Sequence, residues 1–169
     1  LLQQLLAKVI GEIKKVNKVK GIDFSKKMQA LVDRYNDRDK NDVFRSEVYE
    51  EMANALTDLI WEVHKEFSAG DELGINFEEK AFYDILKELC IKYDFKYPEA
   101  KLIELSKAVK TIVDNQAKFP DWNKRDDIKS ALKVELILIL DDFGYPPVER
   151  DEVYVEIFEQ AENFKKNNK

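Results

Sequence analysis

Two carboxylate pairs, a single imidazole, a single thiol and a run of lysines are the residues in this chain whose types and spacing invite chemistry. Asp126-Asp127 and Asp141-Asp142 have the composition of a divalent-cation site. Helix neighbours diverge by about 100°, however, so adjacent carboxylates rarely share one ion. Asp126 and Asp127 read more simply as first-turn carboxylates favoured by a helix dipole. The carboxylate–lysine cluster of a two-metal nuclease would also need loop or strand-end positions that the sequence does not offer. His64 has no Ser or Cys nucleophile in a recognisable context, so no triad can be assembled around it. Cys90 reads as a small buried hydrophobe. One thiol and one imidazole cannot build a thiolate-rich zinc or iron–sulfur site. Neither GxxxxGK[ST] nor GxGxxG occurs, and five scattered glycines cannot cradle a phosphate. No catalytic, cofactor-binding or metal-ligating residue is therefore expected within these residues. The basic cluster, Lys14, Lys15, Lys18, Lys20, Lys26 and Lys27, has two readings: contact with DNA phosphates without sequence readout, or a solvated helix face. Trp122, beside Pro120 and Asp121, is either a plug in an interhelix turn or an exposed partner anchor.

The elements that must hold these residues are helices. Of the 169 residues, 44% are hydrophobic, 11% aromatic and 37% charged, which suits amphipathic helices around an ample core. A single cysteine excludes a disulfide within the chain and points to a cytoplasmic protein. No apolar run approaches the roughly 20 residues needed to span a bilayer. Leu2, Leu5, Leu6, Val9, Ile13 and Val16 form a stripe already running at residue 1, with no capping residue before it, so a piece of a longer protein is expected. Charge divides unevenly. Residues 1–40, a basic leading segment, hold ten Lys/Arg and five Asp/Glu, a net +5; residues 41–169 form an acidic body of net −11. With −6 overall, DNA contact is expected to be local and confined to the first helices.

The apolar periodicity predicts a single all-α domain, 1–169, of about seven helices. The first helix should run from residue 2 to about Lys18 and stop before Gly21. Asp23 or Ser25 should cap a short second helix with Phe24, Met28, Leu31 and Tyr35 inward. Residues 36–41 form a polar connection. A long third helix over 42–68 carries Phe44, Val48, Met52, Ala55, Leu59, Val63 and Phe67 on one face, with Trp61 off that stripe. Asn76 with Glu79 is close to a capping box and opens a fourth helix bearing Phe82, Ile85, Leu86, Leu89 and Tyr93. Pro98 suits the first turn of a fifth, with Leu102, Leu105, Val109 and Ile112 inward. A sixth helix, about 124–142, contains ELILIL and is read as buried on most sides. Gly144 and Pro146-Pro147 make the last turn, a seventh helix uses Val153, Ile157, Ala161 and Phe164, and the final KKNNK frays.

Several stretches resemble the C-terminal region of the R (motor and endonuclease) subunit of type I restriction enzymes. EIKKVNKVKGIDFSKKMQALVDRYN is similar to the segment that follows the helicase lobes there. Phe82-Tyr83-Asp84-Ile85-Leu86 matches an FYDxL-type motif. Trp122 and Arg125 in DWNKRDDIKSALK, followed by LILDDFGYPP, resemble a tryptophan–arginine helix and a Gly-Tyr-Pro turn. The resemblance implies a non-catalytic docking domain that helps seat an ATP-dependent DNA motor on a methyltransferase core of modification and specificity subunits. Nuclease and ATPase chemistry, with ATP and Mg, would belong to other domains of the parent chain, a site-specific deoxyribonuclease. Partners would be those subunits, the chain's own helicase lobes and DNA in the assembled enzyme, with no membrane. Trp122, Arg125 and Tyr145 stand as candidate partner contacts. Two alternatives are a direct DNA-backbone-binding module of the same motor and an unrelated helical interaction scaffold.

Overall fold

Helix α1 (Leu2–Val16) turns one edge of its apolar stripe inward and buries Leu6, Ile10 and Ile13, leaving Leu2, Leu5 and Val9 exposed. The computed structural model describes residues 1–37, 45–116, 119, 121 and 124–167, with only the backbone of 45–48. The first break falls at Asn17, close to the expected end near Lys18 and before Gly21. Asn17 is extended (φ −123°, ψ 97°), and its side chain accepts from the Lys20 N–H at 3.1 Å, capping α2 (Lys18–Asn36). Asp23 and Ser25, the expected caps, lie inside α2: Asp23 pairs with Lys27 and Ser25 bonds the Gly21 carbonyl. Gly21 marks a close crossing instead of a helix end. A Cβ there would sit 2.4 Å from Lys14 Cα, so only a residue without a side chain lets α1 and α2 approach this closely.

Phe24 is buried and Met28 and Leu31 are half-buried, as the pattern predicts, but Tyr35 is 37% exposed. The expected connection and Phe44 fall largely on 38–44, outside the described residues, as does the Val48 side chain. In α3 (Arg45–Glu66) Leu56, Leu59 and Val63 are buried, with Met52 packed beside them. Phe67, expected inward, is half exposed and stacks on Phe77 with centroids 5.1 Å apart. These residues close a small first core with Leu6, Ile10, Ile13 and Phe24.

A short 3₁₀ turn (Asp71–Leu73) leads to α4 (Phe77–Lys92). The Asn76 side chain accepts from the Glu79 N–H at 2.7 Å, and the Glu79 carboxylate reaches back to the Asn76 N–H, completing the expected capping box. Helix α5 (Glu99–Gln116) begins after Pro98, whose carbonyl accepts from Leu102. Helix α6 (Asp126–Asp142) ends in a Schellman motif. Gly144, at φ +64°, donates to the Asp141 carbonyl and Tyr145 to that of Leu140. Helix α7 (Asp151–Asn167) returns antiparallel to α4, placing Glu156 at Tyr93 and Phe164 at Phe82.

The second and larger core gathers Phe82, Leu86, Leu89, Leu105, Val109, Leu136, Leu140, Tyr145, Ile157 and Phe164 from α4–α7 and the turn before α7. ELILIL is helical, as predicted, but not buried on most sides. Only Ile128, Leu132, Leu136 and Leu140 of α6 are buried, while Val134, Ile137 and Leu138 are 56%, 43% and 59% exposed. The reason is position: α5 is the helix against which α6 chiefly packs, so its opposite face has no cover among the described residues. The architecture is all-α, with seven α-helices and no strand among the described residues. None of these helices is long and apolar enough to cross a membrane.

Candidate functional site

Of the residues that sequence reading singles out, the FYDIL stretch is brought together with the most partners, and it forms a junction. Phe82 is fully buried edge-on to Phe164. The Tyr83 hydroxyl donates to Glu99 and accepts from Lys87 at 3.1 Å. Asp84 accepts from the Asn17 amide at 2.7 Å and from Lys80 Nζ at 2.8 Å, while Lys80 also reaches Glu66 Oε1 at 2.6 Å. The Leu86 carbonyl accepts the Tyr145 hydroxyl at 2.7 Å. One turn and a half of α4 thus ties the α1–α2 break, the end of α3, α5 and the Gly-Tyr-Pro turn to one another.

Asn17, Glu66, Lys80 and Asp84 are all buried, which demands mutual pairing. Burial pulls the Lys80 ammonium toward deprotonation. The Asp84 and Glu66 carboxylates outweigh it and hold its pKa above the ordinary lysine value. Each charged member of the cluster is thereby paired with another. The i, i+4 spacing of Lys80 and Asp84 was a legible signal for part of it. The partner Asn17, 67 positions from Asp84, was not.

Tyr145, expected at a partner surface, is 1% exposed, with its ring edge-on to Phe95 and Tyr97 at 5.5 and 5.2 Å. Burial pushes its phenol far above the usual range, and its hydroxyl satisfies a core carbonyl. It is a core residue because the Schellman turn folds it back under α4. Arg125 is on the surface, holding Asp127 through two bonds of 3.2 and 2.7 Å with its guanidinium 5.7 Å from the Phe119 ring centroid. That contact keeps the Asp127 carboxyl below the usual carboxylate range. Trp122 lies outside the described residues. Cys90 is only half-buried, its thiol raised by burial and directed to the Leu86 carbonyl. His64 is exposed beside Trp61, ring centroids 5.9 Å apart. Asp126, Asp141 and Asp142 are exposed, and among the described residues no group of three His, Cys, Asp or Glu could hold a metal ion.

Three of the six lysines are paired with carboxylates, and Lys20 and Lys26 line one shallow cleft. Lys15 pairs with Glu12 at 2.8 Å, Lys18 with Glu159 at 3.4 Å, and Lys27 with both Glu62 at 2.8 Å and Asp23 at 3.5 Å. Lys14, Lys20 and Lys26 have no carboxylate within 4.0 Å among the described residues. What the sequence reading missed is the outward face of α6. Val134, Ile137 and Leu138 recur at three and four residues, so the same helical period that places Leu136 and Leu140 inside puts these three together outside.

The family described as "Type I restriction enzyme HindI endonuclease subunit-like, C-terminal" matches residues 1–167. Over 154 residues, 87% of this chain, it is 25% identical to a protein of Methanocaldococcus jannaschii assigned as the MjaIXP endonuclease subunit of a type I restriction enzyme. It is also 23% identical, over 142 residues and 83% of its length, to the type I restriction enzyme HindI endonuclease subunit of Haemophilus influenzae. The match covers 13% and 12% of those two relatives, so the chain spans about an eighth of their length. No solved structure matches. With its match running from the first helix through the last, the chain belongs to the type I restriction enzyme HindI endonuclease subunit-like C-terminal family.

Proposed function

We propose that this chain is a non-catalytic docking and assembly domain of the ATP-dependent, DNA-translocating R subunit of a type I restriction enzyme, and that it contacts the methyltransferase core of modification and specificity subunits. The observation that carries this reading is the outward face of α6, where the aliphatic side chains of Val134, Ile137 and Leu138 stand exposed together on one side of the helix. Contiguous exposed apolar surface is a mark of interaction sites, protein–protein interfaces among them. ATP, Mg and the nuclease centre fall to other domains of the parent polypeptide in this reading, and its helicase lobes are a second neighbour. Calorimetric titration of the chain into its cognate methyltransferase core, with and without duplex DNA, tests it. Saturable binding without DNA is expected, weakened at least about tenfold (~1.4 kcal/mol) by Leu138→Asp. Absence of binding to the core, or indifference to that substitution, overturns the α6 assignment.

One observation favours a second reading, direct contact with the DNA backbone. Lys14, Lys20 and Lys26 keep ammonium groups uncommitted to any described carboxylate. Reversing their charge would then lower affinity for bare duplex and flatten its salt dependence by about one unit of slope per phosphate lost. A duplex affinity that does not vary with salt would dismiss it.

A further inference from the structure

A second surface, separate from α6, is built where α2 and α7 diverge over the outer side of α4. Its volume is about 650 Å³, within the range of roughly 300–1,000 Å³ typical of occupied sites. The floor is Ile85, Glu88 and Lys92, which share one face of α4. Val19 and Ile22 of α2 form one wall, and Val155, 52% exposed, stands in the other. The lining carries five carboxylates, on Glu88, Asp151, Glu152, Glu156 and Glu159, against two lysines. Both lysines are committed: Lys18 to Glu159 at 3.4 Å and Lys92 to Glu156. The lining is therefore left with three negative charges, and Glu88, Asp151 and Glu152 have no cation within 4.0 Å among the described residues. The dipole of α7 favours Asp151 and Glu152 in its first turn. Glu88, in the body of α4, has no such compensation.

Apolar walls with an anionic lining repel nucleic acid and give a small hydrophilic cation no use for the valines and isoleucines. Along α7 the cleft extends from Asp151 to Glu159, about 12 Å or two helical turns. The geometry points to the occupant: a basic amphipathic helix of a partner protein, its aliphatic edge on Val19, Ile22 and Val155 and its Lys or Arg side chains on Glu88 and Glu152. This surface does not depend on the α6 assignment and is tested without it.

The test titrates the whole chain with a synthetic helix of about 12 residues, leucines on one face and lysines beside them. One-to-one binding is expected, weaker by about tenfold (~1.4 kcal/mol) in both Glu152→Lys and Val155→Asp. Both positions are exposed, so the circular dichroism of these variants should match that of the parent. Leu138→Asp should bind the peptide normally, which separates this surface from the α6 face. The proposal is overturned if a leucine-free lysine peptide or a glutamate-flanked helix binds as well, if neither cleft variant weakens binding, or if nothing binds. It is overturned too if the chain dimerises and Glu152→Lys dissociates the dimer, because the occupant is then a second copy.

Discussion

Helices α4 and α6 carry similar proportions of hydrophobic residues, nine of 16 and nine of 17, and are treated in opposite ways. Every residue of α4 from Lys80 to Leu86 is buried, charged ones included, because α2, α5 and α7 close around it. Helix α6 buries four residues on one side and shows Val134, Ile137 and Leu138 to solvent. Burial is thus assigned by neighbours, not by hydropathy. In α4 a lysine and an aspartate are interior because each satisfies the other, while in α6 a leucine is exterior because nothing among the described residues packs there. The first is an arrangement for holding the domain together. The second is surface left over for something else.

The contrast breaks most severely at the buried cluster. Lys80→Ala strands the Glu66 and Asp84 carboxylates without their cation, and urea unfolding should register a loss of about 3–5 kcal/mol. Leu86→Ala, in the same turn, should cost about 2–5 kcal/mol by the cavity it leaves, also read by urea unfolding. Tyr145→Phe removes only the hydroxyl donor to the Leu86 carbonyl and should cost about 1–3 kcal/mol.

Titration sharpens the difference further. The folded pKa values of Tyr145 and Lys80 both lie above their ordinary 10.0 and 10.5. Each therefore contributes stability that is complete below those values and fades as pH rises through them, since the unfolded chain releases the proton first. The urea midpoint should decline above about pH 10, and Tyr145→Phe should flatten that decline. A decline of equal slope in the variant would show that other groups produce it. The smallest stability effect belongs to α6: Leu138→Ser should change unfolding by no more than about 0.5 kcal/mol while weakening binding to the methyltransferase core. A large stability loss there would mean that the face is covered within the chain itself.

Local signals made much of this fold legible. The Asn76–Glu79 cap, the Gly144 stop and the 3.6-residue stripes of α4, α5 and α7 each act within a few residues, so reading along the chain recovers them. What escaped is long-range. Gly21 looked like a terminator because glycine ends helices, whereas its use here depends on Lys14 of the neighbouring helix. ELILIL predicts a helix, but not how many sides are covered. Tyr145 belonged to a motif that carried the family resemblance, and the motif says nothing of whether it faces in or out. Asp84 sat in another, with a partner supplied from 67 positions away. Both stretches tie helices together in the fold.

The crossing at Gly21 has a mechanical reading. Asn17 is the pivot between α1 and α2, and Lys14 lies about 4.5 Å from it along α1, whereas Leu2 lies about 22 Å away. A methyl group at position 21 would press Lys14 outward. If α1 swung as a rigid rod about that pivot, roughly 1 Å of clearance at Lys14 would become about 5 Å of travel at Leu2. A single hydrogen atom where other residues carry carbon therefore sets the aim of the whole first helix, and with it the direction in which Leu2, Leu5 and Val9 are presented.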